Sequence, residues 1–399
     1  MDAPPIKKQR RRRLSRSNAT YPTLFLPDEL IVEILSSLRV KNIVRLKCLS
    51  KPWNALISDP SFIEKHLKKS SRNPHLTLFW NQRKEGVNVL PFPVHGLLKN
   101  QSINVYSHNF HRFNEHCTIV GSCNGLLCLL FTYPTPYPSY LLKYWLLFWN
   151  PATGTRSKKF ELTRPDSSHF YYPKLAFGYD ASTRTYKVVA IRVDEASWKS
   201  AVKVFSLGNN SWRNIQSFNT VPVKWFDIHY RFHDYNDGVH LNGTVNWLTR
   251  KSIDQFSIVS LDLSTETYKQ FLLPSDFNGV PSIRQPDLRV LMDSLCFSHV
   301  SNKTEFVLWH MKEYGVQESW TQLFKISYQN LETHNTHGGN RLACIYVNGD
   351  MVIFANDFRN RAFIYNVKDK TVEKIDTKKN SIQWFGEAKD YVESLVSVH

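Results

Sequence analysis

In the C-terminal part of this chain one pattern recurs five times: an apolar strand, a polar turn and a second strand. Its anchors are Trp149 in LFWNPATGTRSKK, Phe205 in KVFSLGNNSWRNI, Leu261 in IVSLDLSTETYKQF, Trp309 in FVLWHMKEYGVQESW and Tyr365 in FIYNVKDKTVEKI. The anchors are spaced by 56, 56, 48 and 56 residues, and in three copies the returning strand opens with Trp212, Tyr268 or Val372. Further hairpins fill the intervals, among them GVHLNGTVNWL at 238–248, KLAFGYDASTRTYKVVAI at 174–191 and VNGDMVIFA at 347–355, where Asn348 and Gly349 read as the turn. Strand alternation holds from Leu76 onward, and no long helical period interrupts it. A four-strand unit of about 50 residues cannot bury both faces alone, so successive units must stack on one another.

Stacking that leaves no open sheet edge requires a closed ring. Residues 76–399 are therefore expected to form an all-β domain, a kelch-like β-propeller of about six irregular blades. Its last strand, Tyr391 to Val398, should pair with an early strand near Leu76 to Trp80 and so close the ring. An aromatic content of 14% within 42% hydrophobic residues suits such a strand-rich core.

Ahead of it, residues 23–68 follow a helical period. Leu30, Ile31, Ile34, Leu35 and Leu38 recur at three- and four-residue spacing after Pro27, with Asp28 and Glu29 in the first turn, where the helix dipole favours negative charge. Ile43, Leu46 and Leu49 continue the apolar face, then Trp53, Leu56, Ile57, Phe62, Ile63 and Leu67 in two segments punctuated by Pro52 and Pro60. So short a module buries too little surface to stand alone, and its surplus apolar face predicts docking to helices of another protein. Residues 69–75 read as a short linker, and residues 1–22 as a basic tail without ordered structure.

Specific residues go further than periodicity. Leu-Pro-Asp-Glu-Leu-Ile-x-Glu-Ile-Leu at 26–35, Leu-x-Val-Lys at 38–41, Lys-Cys-x-Ser-Lys-x-Trp at 47–53 and the following Leu-Ile-Ser-Asp-Pro-x-Phe closely resemble the F-box of plant F-box proteins. The resemblance implies a small helical unit that docks on a Skp-family adaptor, and through it on the cullin, of an SCF ubiquitin ligase. It also implies that Leu26, Pro27, Leu30, Ile34, Leu35, Leu38, Val40, Leu46, Cys48 and Trp53 bury against that adaptor. Arg39 departs from the proline many relatives carry, a loss of pre-organisation worth about 0.4–1 kcal/mol, too little to abolish docking.

The β domain carries a second resemblance. Gly-Ser-Cys-Asn-Gly-Leu-Leu-Cys at 121–128, Trp-Asn-Pro-Ala-Thr-Gly at 149–154, Phe-Gly-Tyr-Asp at 177–180, Tyr-Lys-Val-Val at 186–189, Leu-Asn-Gly-x-x-x-Trp-Leu at 241–248 and the terminal Tyr-Val-Glu-Ser-Leu are similar to the F-box-associated (FBA) domain of plants. That implies capture of a protein target, and a non-catalytic specificity adaptor overall. Physically, these motifs are turn chemistry and core aromatics, and Trp149, Trp212 and Trp247 read as blade core rather than ligand platforms.

Of the net charge of +17, +6 falls within the first sixteen residues and the rest is spread over the body; in that first stretch Lys7, Lys8, Arg10, Arg11, Arg12 and Arg13 form a run suited to nuclear import. The expected location is nucleus and cytoplasm. No nucleic-acid-binding signature accompanies the charge. No apolar run approaches the ~20 residues needed to span a bilayer, so no membrane association is expected. Six cysteines show no Cys-x-x-Cys pair, and His108, His111, His116 and Cys117 cluster without a zinc spacing, so neither metal nor cofactor is expected.

Propellers also carry enzymes, but the chain has no paired carboxylates at a recognisable spacing, no phosphate loop, no nucleophile elbow and no His-Glu-x-x-His helix. The alternatives to a ligase subunit are a protein-interaction module outside the ligase, or a propeller that binds or processes carbohydrate. For target capture the candidate loops are 133–139, 163–172, 221–236 and 331–340. Within 221–236, Trp225, Phe226, Tyr230, Arg231, Phe232 and Tyr235 are residue types enriched in binding hot spots.

Overall fold

The structure is a computed structural model that describes residues 26–82, 86–99, 102–134, 142–162, 174–194, 199–222, 238–250, 255–277, 286–302, 304–331, 342–356, 361–377, 382–384, 386 and 388–398. Four helices open the chain: α1 (Asp28–Leu35), α2 (Val40–Leu46), α3 (Lys51–Ser58) and α4 (Pro60–Ser70). Pro27 sits at the N-cap of α1 with ψ 143°, and Asp28 and Glu29 fill the first turn. Arg39 caps α2 at φ −64°, the value a proline would fix. Pro52 and Pro60 lie in the first turns of α3 and α4, so they begin helices here rather than only ending them. Ser50 and Asp59 cap these two helices by accepting from the backbone N–H groups of Trp53 and Ser61.

Six four-stranded antiparallel blades follow. Blade 1 combines Asp390–Tyr391 with His75–Gln82, Gly86–Pro93 and His111–Phe113. Blade 2 holds Cys117–Cys123, Leu126–Pro134, Leu142–Trp149 and Phe160–Leu162, and blade 3 holds Lys174–Asp180, Thr185–Asp194, Lys199–Ser206 and Ser211–Phe218. Blade 4 holds Val239–Leu241, Thr244–Arg250, Phe256–Asp262 and Tyr268–Phe271, with Val221–Pro222 extending its inner edge. Blade 5 holds Asp287–Leu291, Ser294–Ser301, Glu305–Met311 and Trp320–Ser327, and blade 6 holds Leu342–Asn348, Met351–Asn356, Arg361–Asn366 and Thr371–Lys374.

All five repeat anchors stand on the third strand of a blade. Phe205 faces Trp212, Leu261 faces Tyr268 and Tyr365 faces Val372 directly across the hairpin to the fourth strand. The turns joining these strands share one device: Asn150, Asp262 and Asn366 accept backbone N–H groups two and three residues on. The residue four places on, Gly154, Glu266 or Lys370, then takes a positive φ. In the 347–355 hairpin Asn348 still pairs with Met351, so Gly349 and Asp350 form the turn.

Alternation along each strand sends successive side chains to opposite neighbours. Phe148 joins the core between blades 2 and 3, and Trp149 the core between blades 1 and 2. Further clusters fill the spaces between blades 3 and 4, 4 and 5, and 5 and 6. The sixth joins Ile353 and Ala355 of blade 6 to Leu76 and Trp80 of blade 1, and the ring is closed.

Two expectations need correction. The closing strand is Asp390–Tyr391, paired with Leu76 and His75, and not the whole of 391–398. Beyond Tyr391 the chain leaves the sheet, because Leu395 is drawn into the core of the helical module. A short helix, α5 (Val94–Lys99), was also not expected. It lies in the connection between the third and fourth strands of blade 1, where Val94 and Leu97 pack into the closing cluster.

Antiparallel order puts the turns joining first to second and third to fourth strands on one face of the ring. The remaining connections, including those from blade to blade, emerge on the other. The helical module packs on the first of these faces, where Ala152, from the blade 2 turn, meets its core.

Candidate functional site

The helical module has two apolar surfaces with different fates. Leu35, Val40, Ile43, Ile57 and Phe62 form its core together with Leu395, and Ile31, Val32, Leu38, Leu46 and Trp53 pack around them half-buried. On the outside of α1, Leu26, Leu30 and Ile34 are 49%, 49% and 53% exposed, and Leu49, after α2, is 69% exposed. Pro27 and Cys48 are exposed beside them. These four aliphatic side chains are half of the eight exposed large hydrophobics among the described residues. Such concentration on one small module marks an interaction surface.

Of the ten residues expected to meet a partner, Leu26, Pro27, Leu30, Ile34 and Cys48 are exposed. Leu38, Leu46 and Trp53 are half-buried against the core of the module. Leu35 and Val40 are corrected: at 4% and 0% exposure they face inward and hold the module together. Leu49 is exposed as well, which its helical period, shared with buried residues, did not reveal.

Ion pairs and hydrogen bonds at the edge of this face tie α1 to α4. Glu33 bonds Lys65 Nζ at 2.8 Å and also pairs with Lys69, whose Nζ reaches the Glu33 carbonyl oxygen at 2.8 Å. Hydrogen bonds from these two lysines pull the Glu33 carboxyl down to about 2. His66, 1% exposed, donates from Nε2 to the Leu38 carbonyl oxygen (3.0 Å), and its Nδ1 accepts from Ser70 Oγ. Burial lowers its pKa, so it is neutral at physiological pH.

Among the described residues of the ring, Cys123 Sγ lies 3.5 Å from His240 Nδ1. His240 Nε2 accepts from the N–H groups of Tyr179 and Gly243, so the proton sits on Nδ1 and points at sulfur. Burial, with a smaller contribution from Asp390, pushes the thiol pKa far up, and burial pulls His240 down to about 4. A protonated thiol against a neutral imidazole is a packing contact between blades, not a nucleophile. Cys117 is core, and His111 stacks edge-on against Trp149 at 4.7 Å. No group of three possible metal ligands occurs among the described residues.

Trp225, Phe226, Tyr230, Arg231, Phe232 and Tyr235 lie outside the described residues, as do Lys7, Lys8, Arg10, Arg11, Arg12 and Arg13. Of the candidate loops, 163–172 lies wholly outside the described residues and 133–139, 221–236 and 331–340 are described only at 133–134, 221–222 and 331; the strands flanking all four end on the ring face opposite the helical module. Trp149 and Trp247 are buried and Trp212 packs on Phe205, as expected of blade core.

Residues 24–65 match the F-box domain, and residues 89–398 match the F-box associated beta propeller domain. Over 384 residues the chain is 25% identical to an F-box/kelch-repeat protein of Arabidopsis thaliana, covering 93% of this chain and 95% of that protein. It is 30% identical over 324 residues to the F-box protein CPR1 of Arabidopsis thaliana, covering 75% and 73% of the two.

Proposed function

Because the chain belongs to the F-box proteins that carry an F-box associated β-propeller domain, we propose that it is the substrate-recognition subunit of an SCF ubiquitin ligase. F-box domains bind Skp-type adaptors in general, and the observation that carries the proposal is the set of exposed aliphatic side chains Leu26, Leu30, Ile34 and Leu49 within the matched segment. Cullin is recruited through the adaptor, and the chain contributes no catalytic group. The target is a protein held by the propeller, on the face opposite the F-box, with the aromatic segment 225–235 as the candidate contact. Holding it there raises its effective concentration near the charged conjugating enzyme. The basic run Lys7 to Arg13 supports partition between nucleus and cytoplasm.

The test is affinity capture of the full chain from plant cells with the ligase blocked. Cullin should co-purify with the adaptor, and at least one captured protein should accumulate relative to unblocked cells. Adaptor without cullin, or captured proteins whose levels ignore the block, would instead favour an interaction module working outside the ligase.

A further inference from the structure

The last residues of the chain run as an extended strap between the F-box and the ring, and successive side chains face opposite partners, as extended backbone requires. Ser394, fully buried, faces the ring: Asn150 Nδ2 donates to its carbonyl oxygen (3.0 Å) and to that of Val396 (2.8 Å). Val396 and Val398 join the core between blades 2 and 3. Leu395 points the other way and is 4% exposed among Leu35, Val40, Ile43, Ile57 and Phe62 of the F-box.

The ring is shaped to receive this strap. Asn150 belongs to the Trp-Asn-Pro-Ala-Thr-Gly turn and is itself fully buried. Its Oδ1 accepts the Ala152 N–H, which leaves both amide hydrogens of Nδ2 for the strap. Gly125, in the Asn-Gly turn of blade 2, has φ +81°, and a Cβ there would lie 2.2 Å from Ser394 Oγ and 2.7 Å from the Val392 carbonyl oxygen. Three sequence motifs far apart in the chain thus meet at one junction, and that junction also completes the F-box core.

We propose that Val392–Val398 is a clasp that fixes the F-box in one orientation on the propeller, and that Asn150 and Leu395 are positioning residues for ubiquitin transfer. The second half rests on the ligase assignment above; the first does not. A clasped F-box makes the adaptor-docking helices and the ring one rigid body. The lysines that can reach the conjugating enzyme are then set by geometry rather than by a swinging linker.

Two variants release the clasp from opposite sides, Leu395→Ala in the F-box core and Asn150→Ala in the ring, with Leu395→Met as the conservative control. In hydrogen exchange of the full chain, either release should speed the slowest amides of 28–70 by about tenfold while blades 3 to 5 stay protected, and Leu395→Met should restore the wild-type rates. Unchanged exchange in 28–70 for Leu395→Ala overturns the clasp. Should Asn150→Ala fail to fold, Leu395→Ala alone decides. In a reconstituted adaptor–cullin assembly, with the chain's own lysines as the probe, the clasped protein should be modified at a restricted set of ring lysines. Release should spread modification over more sites at unchanged adaptor affinity. The same lysine set after release overturns the positioning role. A chain that binds no Skp-type adaptor overturns the ligase assignment, and the exchange measurement still decides the clasp.

Discussion

Asn150 Nδ2 lies 2.8 Å from the carbonyl oxygen of Val396, although 246 residues separate the two in sequence. The amide is fully buried and serves the turn and the strap at once, accepting from Ala152 and donating to Ser394 and Val396. Asn150→Ala strands buried acceptors on the strap and a donor in the turn, each worth about 1–3 kcal/mol. Urea unfolding should show a net loss of about 2–4 kcal/mol. A loss under about 0.5 kcal/mol, the scale of an ordinary surface change, would mean water replaces the amide freely.

Gly125 and Gly154 separate backbone strain from crowding. Both have positive φ, +81° and +77°, but a Cβ at Gly154 meets nothing within 4 Å, whereas at Gly125 it collides with Ser394. Gly154→Ala should cost about 1–2 kcal/mol from φ alone. Gly125→Ala should add about 1–3 kcal/mol for overpacking. Equal melting temperatures for the two variants would contradict the close packing of the strap on blade 2.

Lys187, buried between blades 3 and 4, bonds Asp180 (2.8 Å), Glu266 (3.1 Å) and the Leu263 carbonyl oxygen, and Glu266 also pairs with Arg213. Burial alone would raise the Asp180 pKa, but hydrogen bonds from Lys187, Ser182 and Thr183 and the Lys187 charge hold it well below the usual carboxylate range. A carboxyl depressed on folding contributes stability that is present above its unfolded pKa of about 4 and is lost as pH falls through the folded value. Lys187→Met should therefore destabilise by about 3–5 kcal/mol at pH 7, and stability should fall less steeply below about pH 4. Parallel stability curves for the two proteins across that acid range would refute the assignment.

How much of this could be read beforehand differs by element. The anchors from Trp149 to Tyr365 were legible because a blade repeats, and repetition places Phe205 opposite Trp212 without knowledge of any distant contact. The F-box helices were legible from their residues, but not which apolar side faces out: Leu30, Ile31, Ile34 and Leu35 all fit one helical period. Only packing distinguishes Ile34, 53% exposed, from its neighbour Leu35, 4% exposed. The clasp left no local signal. Asn150 reads as turn chemistry and Leu395 as one more alternating apolar residue, and their roles arise from contacts hundreds of residues away.

Removal of Lys7 to Arg13 tests the basic run. A fluorescently tagged chain lacking it should lose about half or more of its nuclear signal if the run attracts the import machinery through its charge. An unchanged distribution would leave the segment as a solvated tail.

The proposed function rests on docking of a Skp-type adaptor by the open face of α1 while the inward face holds the module together. It is tested by titration calorimetry of the full chain against a purified plant Skp-family protein, comparing wild type with Ile34→Asp, a charge placed on a side chain that is 53% exposed and outside the core cluster of the module. Ile34→Asp should weaken binding by about 100-fold, or 2.7 kcal/mol, with an unchanged unfolding midpoint. Wild-type affinity in Ile34→Asp would rule out docking on that face.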